Sequence, residues 1–316
     1  MLRQIVTRLL AILPILLILS IFAFLLVHLA PGDVTDALLG PMATEEAKEK
    51  LRISMGLDEP LFVQYAHWLG NVLQGDFGVS VHTKRDVSEV VLPRFYNTVI
   101  LAAASLFLAL TVGFGVGMFA AARSYSTFDR VSMSTTLIVG SMPPYWLALL
   151  LVLAFALEYR WFPATGMVSI TGDGGIVDIL HHLVLPAIAT AAAPAAIITR
   201  MVRASMLEVL GQNYVRVARA KGIPKRRILW HHALRNALPP IATIAGLQLG
   251  FLLGGALFTE VVFAWPGLGN QLYYSIVARD VPVVQAAIII IALAFVLVNL
   301  AVDVLNAALD PRVRTM

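Results

Sequence analysis

Few residues in this sequence have the types and spacing for chemistry. Four of the seven histidines stand in two adjacent pairs, His181–His182 and His231–His232. Neighbouring side chains on a helix point about 100° apart, so neither pair converges on one metal ion. No H-E-x-x-H, G-x-S-x-G or G-x-x-x-x-G-K-[ST] string occurs. The chain therefore lacks the zinc site of a metalloprotease, the nucleophile of an α/β hydrolase and the loop that cradles nucleotide phosphates. With no cysteine, neither a thiolate nor a disulfide is available. One acid stands in a strongly apolar setting: Asp303, which forms a polar stripe with Asn299 and Asn306 at i, i+4, i+7. An acid in such a place marks a functional contact. Close to the end of its apolar run, it reads as a helix-to-helix hydrogen bond or a gate contact rather than a proton relay. No nucleophile–base set can be assembled, so the chain is expected to be no enzyme, with no catalytic, metal-binding or cofactor-binding residue of its own.

The elements that would position these residues are set by composition. The 316 residues are 59% hydrophobic and 13% charged, against roughly 25% charged in soluble proteins. This is a polytopic, all-α membrane protein. Its net charge of +4 reflects where basic residues lie relative to the bilayer, not a nucleic-acid surface. No internal repeat is visible, which weighs against a secondary transporter, where repeats are common.

One polar stretch interrupts the apolar second half, residues 213–240. From Tyr214 to Arg235 it carries seven basic side chains and no acid. Asn213 is placed to cap a short helix whose Tyr214, Val217, Ala218 and Lys221 share a face, and Gly222 stands where a glycine ends it. Pro224 opens a second helix with Ile228, Leu229, Ala233 and Leu234 as its apolar stripe. The positive-inside bias accounts for the charge. It does not account for two amphipathic helices hinged on a glycine.

The string ARAKGIPKRRILWHHALRNALPP, residues 218–240, resembles the cytoplasmic signature loop of ABC-importer permeases of the dipeptide/oligopeptide/nickel subfamily. In the general family the loop reads Glu-Ala-Ala, three residues, Gly, nine residues, Ile-x-Leu-Pro. Aligned on Gly222, this chain has Arg216-Val217-Ala218 and His232-Ala233-Leu234-Arg235 at the two ends, a departure that matches the peptide-type form. Two further stretches are similar to the same subfamily: GLDEPLFVQYAHWLGNVLQGDFGVS, residues 56–80, and the pattern E-x-x-F-x-x-P-G-L-G at Glu260, Phe263, Pro266, Gly267, Leu268 and Gly269, followed by Arg279-Asp280. The resemblance implies a type I importer permease fold. It implies an ATPase-coupling loop made by Tyr214, Val217, Ala218, Arg219, Ala220, Lys221, Gly222 and Arg226, and a periplasmic motif of Glu260, Phe263, Pro266, Gly267, Gly269 and Asp280. The partners it implies are a second homologous permease, two cytoplasmic ATP-binding subunits that carry ATP and Mg, an extracytoplasmic solute-binding protein and membrane lipid, with no nucleic acid.

Taken in order, the chain is expected to form an N-terminal transmembrane helix (1–30), an extracytoplasmic segment (31–95) and a five-helix core (96–316) with its coupling loop at 203–236. The first run, Leu9 to Leu29, exceeds the roughly 7–15 apolar residues of a cleaved signal. The segment after it holds ten acidic and six basic residues. It contains one helix capped at Thr44 and stopped at Gly56, and another from Pro60 to Gly75 with Phe62, Tyr65, Leu69, Val72 and Leu73 along one side. Later spans are expected at about 98–122, 131–157 with a kink at Pro143-Pro144, 183–201, 241–262 and 283–305. Small-residue stripes, Gly113–Gly117–Ala121 and Gly246–Gly250–Gly254, allow close helix approach; at least one packs the six helices, leaving the other for the second permease. With both termini cytoplasmic in a bacterial or archaeal inner membrane, every short loop obeys the positive-inside rule. The function expected is that of a permease subunit in an ATP-driven importer, as against a secondary transporter or channel.

Overall fold

The structure, a computed structural model, describes residues 2–29, 43–54, 58–169 and 174–309. The Gly56 stop lies outside the described residues, and of Asn306 only the helical backbone is described. Among the described residues the secondary structure is helical throughout, with one isolated bridge between Val79 and Asp86.

Helix α1 (Leu2–Leu29) is followed by two short helices, α2 (Glu45–Ser54) and α3 (Leu61–Leu73). Thr44 caps α2 through its hydroxyl, and Gly75 at φ +85° ends α3. The 36-residue α4 (Val87–Ala122) begins well inside the segment expected to be polar, and it absorbs Pro93. The next span is broken. Helices α5 (Thr127–Ser141) and α6 (Pro144–Glu158) meet at 101°, far more than a kink. Met142 and Pro143 are both extended, with ψ of 131° and 134°, because each precedes a proline and is disfavoured in the α region. The long α7 (Ile176–Leu210) keeps its helical path through Pro186 and Pro194.

A short α8 (Asn213–Ala220) leads to α9 (Lys225–Gly255), a 31-residue span whose first turns are wound as a π segment at Ile228–Ala233. The expected second loop helix is therefore the leading end of the fifth span. Two short helices, α10 (Leu257–Val262) and α11 (Leu268–Val277), precede the last span, α12 (Val281–Leu309). Helices α4, α7, α9 and α12 are each long and apolar enough to cross a membrane, the α5–α6 pair is so when its two bent halves are counted as one span, and α1 has 28 residues.

Both small-residue stripes are consumed within the chain. A Cβ at Gly117 would come within 2.6 Å of the Thr199 carbonyl on α7, and one at Gly246 would overlap Val302 on α12. Neither stripe is left for another subunit, which corrects the expectation from sequence. The core between α4, α7 and α9 is made of Ala109, Met118, Ile198, Val202, Met206, Ala233 and Ile241. It holds the base of the basic loop against the bundle.

Candidate functional site

The residues singled out by sequence fall into two groups, separated by the 22 residues of α9 from Leu234 to Gly255, about 33 Å of helix. The first group lies at the basic end. Helix α8 closes with both bonds of a Schellman motif: Ile223 N–H donates to the Ala218 carbonyl at 3.2 Å and Gly222 N–H to that of Arg219 at 3.0 Å. Gly222 has φ +76° with open space around it, so it is there for its backbone conformation rather than for room. The cap at the other end is Gln212, with Asn213 as the first helical residue, so Asn213 is not the cap.

Of the shared face expected on α8, Tyr214 and Val217 lie open and Ala218 does not. Val215 and Ala218 are buried with Ile228 under Leu210 and Ile223, whereas Tyr214 and Val217 are 44% and 53% exposed. Ala218 thus seats α8 on its own chain. Arg219, Ala220, Lys221 and Arg226 are exposed, and among the described residues none of these cations joins an ion pair. The Tyr214 hydroxyl accepts from Asn236 Nδ2 at 2.8 Å, and Lys225 Nζ donates to the Ala122 carbonyl at 2.7 Å. A cleft of about 650 Å³ opens beside them, lined by Ala122, Leu207, Arg219, Ile223, Lys225 and Ile228.

Beneath the loop lies a contact that sequence reasoning missed. Asp129, 2% exposed, takes a two-point contact from Arg203, with Nη2 at 2.8 Å, and also accepts from Tyr125 N–H at 2.8 Å. This joins the turn between α4 and α5 to the base of α7. The signal was present: Ser126 caps α5 on Asp129 N–H, the spacing of a capping box.

The second group is at the far end. Glu260 is fully buried on α10, beyond the end of the α9 span. Its carboxylate accepts from the Thr98 hydroxyl at 2.6 Å and from Asn270 N–H at 2.9 Å, with Gly269 N–H as a third donor. Burial pushes its carboxyl up, and these hydrogen bonds hold it partly back. The two N–H groups are orphan donors of the first turn of α11, so Glu260 caps that helix from outside its own segment. Gly267 is required because any Cβ there would overlap the Glu260 carboxylate. Phe263 and Trp265 fill the space beneath; Trp265 Nε1 donates to the Asn97 carbonyl at 3.0 Å, and Asn97 Nδ2 returns a bond to the Pro266 carbonyl at 2.8 Å. Asp280 receives the Ser80 hydroxyl at 2.5 Å and the backbone N–H groups of Val81 and His82. The motif thus clasps the segment before α4 onto the loops around α11. No cluster able to hold a metal exists among the described residues. Asp303 and Asn299 line a groove between α1 and α12.

This architecture is that of an importer membrane subunit. Residues 113–315 match the family of binding-protein-dependent transport system inner membrane components, and residues 1–102 match its N-terminal region. The chain belongs to this family. It is 40% identical over 314 residues to the oligopeptide transport system permease protein AppB of Bacillus subtilis (strain 168), with 99% of both chains covered. To the glutathione transport system permease protein GsiC of Escherichia coli (strain K12) it is 41% identical over the same length and coverage. An inward-facing structure of the MetNI methionine ABC transporter superposes with a TM-score of 0.59 at 19% identity, covering 70% of this chain and 96% of that one. The chain is a permease component of the inner membrane and not an enzyme.

Proposed function

We propose that this chain is one of two permease subunits in an ATP-driven importer of peptides or similarly sized small solutes. The observation that carries the reading is the form of the basic end. There, an amphipathic α8 presents Tyr214 and Val217 outward within a rim of arginine and lysine. It is joined through one glycine turn to α9, which runs without a break into the membrane. A partner that moves α8 moves α9 with it. Helix-in-groove docking uses an apolar stripe of this kind, and the cationic rim orients the approach.

In this reading the basic end and both termini are cytoplasmic, and two ATPase subunits bind there, carrying ATP and Mg. The segment 31–95 and the Glu260 clasp face outward, where a solute-binding protein delivers its cargo. The relatives at 40–41% identity are permeases of oligopeptide and glutathione transport systems, which supports a peptide-like solute.

The absence of cysteine allows a direct test. In the assembled transporter, a single cysteine replacing the exposed Val217 should cross-link through a short bismaleimide to an ATPase subunit, and one replacing the buried Val215 should not. Absence of any Val217 cross-link in a complex that retains its ATPases would overturn this docking site.

A further inference from the structure

Helix α3 has three faces. On a wheel of 3.6 residues per turn, Gln64, His67 and Asn71 fall within about 60°. Tyr65 and Trp68 form a second face, which sits on α1: their rings lie 5.5 and 5.7 Å from that of Phe24, and the hydroxyls of Tyr65 and Ser20 share a 2.8 Å hydrogen bond. The third face, Phe62, Ala66, Leu69 and Leu73, is centred about 165° from the polar stripe. None of α3 is buried, and Phe62 and Leu73 are 74% and 79% exposed.

We propose that α3 lies in the surface of the membrane, with this third face in the boundary between headgroups and acyl chains. Three observations choose lipid over another protein. First, the side of α1 on which α3 sits is itself an open apolar surface: Leu13, Leu17 and Ile21 share that side of the helix with Ser20 and Phe24 and are 39–59% exposed, and in a membrane protein such a surface meets lipid. Second, a polar stripe lies opposite the apolar face, as in a helix lying in the membrane plane, and the tyrosine and tryptophan are the residues favoured at that depth. Third, the contact with α1 is at the right level. Phe24 is five residues from the end of α1 at Leu29, about 7.5 Å of rise, and interfacial helices sink about 5–10 Å.

The consequence is an anchor. The segment before α4 is held at one end by α3 in lipid and at the other by Asp280 on Ser80, so it is fixed beside the bundle instead of hanging free. This inference rests on membrane placement alone and stands or falls independently of the solute or the ATPases.

The test uses the whole transporter in proteoliposomes, with a nitroxide on a single cysteine at Phe62, Ala66 or Leu73, and at His67 or Asn71 for comparison. All five positions are exposed, so the label fits without repacking, and size-exclusion elution of each variant with its partners verifies assembly. Oxygen should relax the label more than a water-soluble nickel chelate does at Phe62, Ala66 and Leu73, and the order should reverse at His67 and Asn71. Chelate access at Phe62 and Leu73 equal to that at His67 would place the face in water. Protection there from both reagents would place it under another protein. Either result overturns the proposal.

Discussion

Glu260 is an acid removed from water, made tolerable by what surrounds it. Three donors converge on one carboxylate, and two of them are N–H groups that the start of α11 leaves unsatisfied. Glycine is needed at Gly267 for space and at Gly222 for backbone angle, and the two substitutions should fail differently. Gly267→Ala pushes a methyl into the carboxylate, an overpacking cost of about 1–3 kcal/mol, together with loss of the cap. It should lower the thermal midpoint of the detergent-purified chain. Gly222→Val meets no neighbour. It carries a left-handed penalty of about 1–2 kcal/mol, borne locally by the turn. That chain should insert and purify normally, with little change in midpoint, but fail to hold its ATPase subunits in a pull-down. Equal midpoints for the two variants would contradict the assignment of space to one glycine and angle to the other.

At the scale of elements, the Asp129–Arg203 contact carries the base of the coupling end. Breaking a buried pair from one side costs about 3–5 kcal/mol. Arg203 is partly open to solvent, so Asp129→Asn should sit near the lower figure, about 3 kcal/mol, as read from the unfolding midpoint. Glu208→Gln, at an exposed acid on the same helix, should leave the midpoint unchanged; an equal effect of both would remove the special role of the pair. Much of the helical plan was legible in the sequence, because apolar runs of about 20 residues have one reading in a membrane. The Gly222 turn and the stripe from Ile228 to Leu234 were legible for a similar reason: a glycine stop and a helical period are local signals. The 101° break was not read, although Pro143-Pro144 encodes it. One proline kinks a helix, whereas two in succession force both Met142 and Pro143 out of the helical region. The partners of the glycine stripes were beyond reach, since an i, i+4 pattern states that a helix comes close without saying which one. That Ala218 turns inward with Val215 was not legible, because only the position of Ile228 decides it.

For the whole molecule, the account is of a transmission part. In the proposed reading the basic end presents a docking helix joined to a span through the Gly222 turn, while the far end clasps the segment before α4. In that reading, energy enters through the ATPase partners. The most direct measurement is solute flux into proteoliposomes that contain either this chain alone or this chain with its second permease, two ATPase subunits and binding protein. The chain alone should neither hydrolyse ATP nor move solute, and the full set should show uptake that requires ATP and the binding protein. Saturable flux by the chain alone, driven by a proton or sodium gradient, would contradict the account and identify a secondary transporter.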